Sequence, residues 1–292
     1  MVKGLPAGWG TCICTVSFDN TPEVHTSWKD LIVAGLYFHN MITIDAITGA
    51  HLFVLSGHTE WVCSLTFSLD GTLLVSGDRS GTIKLWDTQT GVVVKTLAGH
   101  TGAVNSVSIS PDHTMIASGS QDMKICLWDT WTGECCCIID DHNSVVQSVS
   151  FSPTNPQLLI SATGDNVVHW WDITGHQIGP TYEGEYVTIS SDGTYFALWA
   201  YADTAIAIQD SGSGAIVYKL QNPSEHCNCC QFSPDNKSVV VVLGTLSTSG
   251  TLPTQPLTLL GPLLDILIVS DPLHFLPPLS HYLMMDESNS GS

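Results

Sequence analysis

The chain repeats itself. Gly57-His58 recurs as Gly99-His100 and then, changed at its first residue, as Asp141-His142, each step being 42 residues. Trp86-Asp87 recurs as Trp128-Asp129 after 42 residues and as Trp171-Asp172 after 43. Ile44-Asp45 and Gln209-Asp210 are degenerate copies on either side. No other feature restricts the fold as much. A unit of this size cannot bury its apolar faces alone and must stack on its neighbours.

The turns keep the same period. Asp45 is followed by Thr48-Gly49, Asp87 by Thr90-Gly91, Asp129 by Thr132-Gly133, Asp172 by Thr174-Gly175 and Asp210 by Ser213-Gly214. A second turn reads Leu69-Asp70-Gly71, Pro111-Asp112, Ser191-Asp192-Gly193 and Pro234-Asp235-Asn236. Pro presets φ, Gly tolerates positive φ and Asp bonds its own local backbone, so these are hairpin turns. Between them lie stretches of strand length and composition, such as Leu73-Leu74-Val75, Thr82-Ile83-Lys84-Leu85 and Val92-Val93-Val94. Each period is expected to be a four-stranded antiparallel unit.

A period near 42 carrying Gly-His and Trp-Asp marks resembles the WD-repeat β-propellers. The resemblance implies an all-β fold of four-stranded antiparallel blades. It covers residues 11–243, with units near 11–56, 57–98, 99–140, 141–183 and 184–221 and a partial one at 222–243. That makes about 5.5 recognisable blades, against the seven usual in the family, so an incomplete relative of a seven-bladed propeller is expected. Residues 1–10 read as an N-terminal extension, and 244–292 as a Pro- and Leu-rich tail of low regularity. Either that tail covers an open edge or the chain is a fragment of a longer propeller, and the second reading is preferred.

His, Ser, Asp and Trp recur at fixed spacing. The sets are His100, Ser118, Asp122 and Trp128, then His142, Ser161, Asp165 and Trp171. The unit at 57 has His58, Ser76 and Trp86, with Ser80 where the turn Asp belongs. A nucleophilic triad could be read into such residues. An enzyme needs one triad, however, not one per unit. The family resemblance implies instead a buried hydrogen-bond network in each blade. The unit near 184 keeps Asp203 but has Trp199 at the Ser position and no His. The units at 57 and 184 are therefore expected to be less stable than the two between them.

Other chemistry is not expected. The sequence has no phosphate-cradling G-x-x-x-x-G-K-[ST] and no H-E-x-x-H, so no cofactor or metal is assigned. The cysteine runs Cys135-Cys136-Cys137 and Cys227, Cys229, Cys230 cannot all face one metal or bridge one another on a strand. Small buried thiols in a reducing cytoplasm are the preferred reading. Met1 to Gly10 lacks a basic region followed by an apolar run, and no stretch of about 18 residues is unbroken and apolar.

With 8 basic and 27 acidic side chains the net charge is −19, and Arg79 is the only arginine. That balance argues against nucleic acid and anionic membranes as partners. Twelve of the acidic residues fall at repeat positions: Asp45, Asp87, Asp129, Asp172 and Asp210; Asp70, Asp112, Asp192 and Asp235; Asp122, Asp165 and Asp203. The charge thus follows largely from turn chemistry and is weak support for a basic partner.

What remains is a binding surface. In WD-repeat propellers contacts often use the end bearing the Gly-His loop. Two positions there matter: three residues after the His, and the residue before the turn Asp. They are Trp61 and Arg79, then Ala103 and Gln121, then Val145 and Gly164. Trp and Arg are the residues most enriched at interface hot spots. The alternative is that Trp61 packs under a loop and Arg79 pairs with Asp78. Trp131, in the other turn, reads as an exposed aromatic or a second contact.

The expected function is a non-enzymatic, cytoplasmic scaffold or sensor that binds proteins or peptides through Trp61, Arg79 and Gln121. Gly-His-Thr openings at 57–59 and 99–101 and Ser-Pro-Asp turns at 110–112 and 233–235 look like the tandem arrays of fungal NACHT-type and vegetative-incompatibility proteins. An adaptor of a ubiquitin-ligase, G-protein-β-like or chromatin complex is the alternative. A hydrolase using the propeller channel is a distant one.

Overall fold

The computed structural model describes residues 51–184 and 186–200 without a break. Outside that span it describes 15–16, 24–28, 31–35, 40–45, 205–221, 226–232, 238–244, 257–260 and 265–269. Among the described residues there are strands and turns and no α-helix.

Six sheets follow one another along the chain. The first has five strands in sequence order, β1 (Thr15–Val16), β2 (Val24–Trp28), β3 (Leu31–Gly35), β4 (Met41–Asp45) and β5 (His51–Leu55). Four regular antiparallel meanders come next. They are β6 to β9 (Val62–Phe67, Leu73–Asp78, Thr82–Asp87, Val93–Ala98) and β10 to β13 (Val104–Ile109, Met115–Ser120, Ile125–Asp129, Cys135–Ile139). Then follow β14 to β17 (Val146–Phe151, Leu158–Thr163, Val167–Asp172, Gln177–Glu183) and β18 to β21 (Tyr186–Ile189, Tyr195–Ala200, Ala205–Asp210, Ile216–Gln221). These are blades two to five.

The sixth sheet departs from the pattern. Its strands β22 (His226–Phe232), β23 (Ser238–Gly244), β24 (Leu257–Leu260) and β25 (Asp265–Val269) lie in the order β22-β23-β25-β24. β25 runs parallel to β23, where a regular blade has an antiparallel third strand. Four blades are therefore regular, with an altered sheet on either side. That matches an incomplete relative of the seven-bladed form.

In blades two to five the first strand packs on the first strand of the next sheet, β6 on β10, β10 on β14, β14 on β18 and β18 on β22, while in the first sheet β2 packs on β6 and β1 lies against β22. The core is accordingly made between blades. Val75, Ile83, Leu85 and Leu97 of blade two meet Val104, Val107, Ile116 and Trp128 of blade three. Ala117, Ile125, Leu127 and Ile139 meet Val146, Val149, Phe151 and Trp171 in the same way. A second strand with neighbours on both faces reads as an unbroken buried run, as in β7, β11 and β15.

First strands also join blades by hydrogen bonds. Val107 N–H donates to Ser64 Oγ (3.0 Å), Val149 N–H to Ser106 Oγ (3.1 Å) and Phe151 N–H to Ser108 Oγ (3.0 Å). The serines of these strands thus satisfy backbone donors of the following blade. Close approach needs small residues. A Cβ on Gly119 would lie 2.5 Å from Val146 Cγ1, and one on Gly77 2.5 Å from Val104 Cγ1.

One expectation about the thiols is corrected. Cys126 is buried, but Cys135 and Cys136 are exposed. They sit on β13, the outer strand of its blade, which has a sheet neighbour on one side only.

Candidate interaction surface

Two ends of the blades must be told apart. First-to-second and third-to-fourth strand turns share one end: Thr88 N–H donates to Thr72 O (3.1 Å) and Thr130 N–H to Thr114 O (2.9 Å). The Gly-His loops and second-to-third strand turns share the other, joined by the histidine networks.

Blade three shows the full network. Trp128 Nε1–H donates to Ser118 Oγ (2.8 Å), Ser118 Oγ lies 2.8 Å from His100 Nε2, and His100 Nδ1 is 2.9 Å from Asp122 Oδ2. A carboxylate can only accept here, so His100 Nδ1 carries a proton and donates to Asp122. Burial acts to raise the Asp122 carboxyl. Bonds from Thr101 N–H, His100 and Lys124 N–H outweigh it and hold the carboxyl below its usual range.

Blade two has the same network by a different route. Trp86 Nε1–H donates to Ser76 Oγ (2.8 Å), which lies 2.5 Å from His58 Nε2. His58 Nδ1 meets Asp78 Oδ2 at 2.7 Å. Asp78 Oδ1 accepts from Ser80 N–H (2.9 Å), Ser80 Oγ (2.6 Å) and Thr82 N–H (3.0 Å). The sequence reading, which found no carboxylate for this unit, is corrected. Ser120-Gln121-Asp122 of blade three has become Asp78-Arg79-Ser80, with Ser and Asp exchanged. Burial pushes the Asp78 carboxyl up, but His58, Ser80 and Thr82 prevail and it stays low.

Blade four breaks the chain instead. Trp171 Nε1–H donates to Ser161 Oγ (2.8 Å), and His142 Nε2 lies 3.2 Å from that oxygen. Asp165 accepts from Thr163 Oγ1 (2.5 Å), and His142 Nδ1 is buried without a partner. Burial lowers the His142 pKa from 6.5 to about 4, and His169 adds to this. His169 packs on His142 at 5.7 Å between ring centroids and also has a buried unpartnered Nδ1. The expected stability order changes with these geometries: blades two and three hold complete networks and blade four does not. In blade five Trp199 stacks near Tyr186 (5.1 Å), while Asp203 lies outside the described residues.

Beside these networks, the paired candidate contact positions are backbone neighbours. Arg79 N–H donates to Trp61 O (2.9 Å), Gln121 N–H to Ala103 O (2.9 Å) and Gly164 N–H to Val145 O (3.0 Å). In blade two the side chains meet as well, with the Arg79 guanidinium carbon 5.2 Å from the Trp61 ring centroid. Arg79 is exposed and Trp61 is 39% exposed. Gln121 is exposed and reaches Asn105 Oδ1 at 3.5 Å. Cys63, just below, donates to Trp61 O (3.5 Å). Burial pushes its thiol up to about 11, Arg79 pulling the other way, so it is no ready nucleophile. Trp131, 88% exposed, belongs to the opposite end.

The described carboxylates of the opposite end are tied locally. Asp87 accepts from Gln89 and Thr90 N–H and from Thr90 Oγ1, and Asp210 from Ser213 N–H and Oγ. The side chains of Asp45 and Asp235 lie outside the described residues. Among the described residues no group of three or more His, Cys, Asp or Glu side chains could hold a metal ion, and no helix is long and apolar enough to cross a membrane.

Comparison with known families matches three stretches, 49–87, 91–129 and 133–172, to the WD domain, G-beta repeat. The chain carries WD repeats. Each matched WD repeat starts before the outer strand of one blade and ends with the third strand of the next. The repeat therefore laces two blades together. No curated protein matches the sequence. A chain of a solved structure described as "Crystal Structure of Mitotic Checkpoint Complex" aligns with a TM-score of 0.69 and 22% identity, covering 77% of this chain and 72% of that one. At that identity the likeness is one of fold. As 1782 chains of solved structures match, the WD-repeat fold by itself selects no partner.

Proposed function

We propose that this chain is a non-enzymatic interaction module that holds a protein or peptide on the Gly-His end of its blades, through Trp61, Arg79 and Gln121. It acts in the cytoplasm, with neither nucleic acid nor membrane as partner. The observation that carries this reading is the Arg79 guanidinium lying over an exposed Trp61 ring, a cation–π contact. Such a contact orders a long side chain in advance, which lowers the entropy lost on binding. The His and Ser residues of the triad-like sets are buried and repeated, and each of these Ser hydroxyls accepts from a Trp indole, which supports a structural role for them. The Gly-His-Thr and Ser-Pro-Asp marks support a sensor array of the fungal NACHT type as the finer reading.

The test is affinity capture with mass spectrometry, comparing the wild type with Trp61→Ala and Arg79→Ala. Loss of a defined set of captured proteins in both variants is expected. If every captured protein survives both substitutions, the surface is elsewhere.

A further inference from the structure

We infer that the partner presents an Asp or Glu side chain of a peptide segment to Arg79. The inference rests on the interaction surface proposed above and adds its chemistry. Arg79 is the only arginine, in a chain with 27 acidic side chains. Yet among the described residues no carboxylate forms an ion pair with it. The adjacent Asp78 would be the natural partner. It is turned inward and fully buried, with both oxygens taken by His58, Ser80 and Thr82.

The exchange within Asp78-Arg79-Ser80 is what leaves the arginine available. In blade three the network carboxylate follows the contact residue Gln121 and stays slightly exposed, 8% for Asp122 against 0% for Asp78. Blade two keeps its network but draws the carboxylate away from the surface and sets a neutral Ser80 beside Arg79. A guanidinium lying over an indole ring still offers its planar fork of donors, which suits a carboxylate bidentately. The equivalent positions in blades three and four are Ala103 with Gln121 and Val145 with Gly164, so no second cation competes there.

The net charge of −19 sets a further limit. Repulsion is screened beyond a Debye length of about 8 Å at physiological salt, so one carboxylate in contact is not opposed. A strongly acidic peptide is. The segment that fits has one Asp or Glu among uncharged or basic residues.

The probe is an array of short peptides, each made with Asp, Asn or Lys at its centre and in both amidated and free-acid form, titrated against the full chain. The best binders are expected to lose about tenfold in affinity on Asp→Asn. Arg79→Lys should lose about the same on the Asp peptide and little on the Asn peptide, a coupling that a double-mutant cycle isolates. Unchanged melting of Arg79→Lys would rule out a folding effect. The double variant Asp78→Ser/Ser80→Asp should keep the fold and bind the Asp peptide more weakly. Peptides that need Trp61 but bind equally with Asp and Asn would overturn this inference and leave the interaction surface standing. Binding confined to peptides with a free C-terminal carboxylate would overturn the choice of side chain. No peptide binding at all would count against both.

Discussion

A single exchange of two residues decides how blade two works. Asp78 and Ser80 stand in the reverse order of Ser120 and Asp122, and the bonds show that either order closes the network. Asp78→Ser alone strips His58, Ser80 and Thr82 of their acceptor and is expected to destabilise by about 3 kcal/mol. Adding Ser80→Asp should recover most of that, as read by urea denaturation. The carboxylate was not legible by repeat spacing, because alignment to blade three places Ser80 at its position. His142 gives a second expectation. Folded, its pKa is about 4, and unfolded it is near 6.5, so the folded state binds the proton less well. Stability is full above 6.5 and is lost as pH falls toward 4, by about 3 kcal/mol at most. His142→Gln should flatten that loss in acid titrations followed by tryptophan fluorescence. The lowered carboxyls of Asp78 and Asp122 act in the same direction at still lower pH.

At the scale of strands and sheets, each of blades two to five is a meander whose inner strands are buried between neighbours. Gly77 and Gly119 are where the blades come closest. Gly119→Ala drives a methyl into Val146 and is expected to cost about 1–3 kcal/mol, and Val146→Ala on top should relieve part of it. Blade four has Ala162, fully buried, at the equivalent place, so its junction with blade five already admits a methyl. Amide exchange should be slowest in β7 and β11, whose networks are complete, and faster in β15, next to the unpartnered His142. The meanders were legible because Asp-Gly turns and alternating apolar runs force hairpins wherever they occur. The serine bonds between first strands were not, since Ser64 and Ser106 look like ordinary exposed strand residues until the next blade is placed against them. The parallel β25 could not be foreseen either: Leu257 to Val269 shows no periodicity and carries no turn mark of the repeat.

For the whole molecule, the charge and the surface have separate origins. The described turn carboxylates, such as Asp87, Asp129, Asp172 and Asp210, are held ionised chiefly by hydrogen bonds within their own turns. They make hairpins first and an electrostatic field second. The proposed surface is instead marked by what is scarce: the single arginine, lying over Trp61, an exposed tryptophan. That the candidate positions lie side by side was legible because the repeat fixes where loop and turn meet. That Arg79 would escape its neighbouring carboxylate was not, because the escape depends on Asp78 serving His58. The most direct measurement is the affinity of a captured partner for three variants: Trp61→Ala, Arg79→Ala and, at the opposite end, Trp131→Ala. Losses of about tenfold or more for the first two, with less than about twofold for Trp131→Ala, are predicted. A partner that ignores Trp61 and Arg79 but is lost with Trp131 would contradict the account.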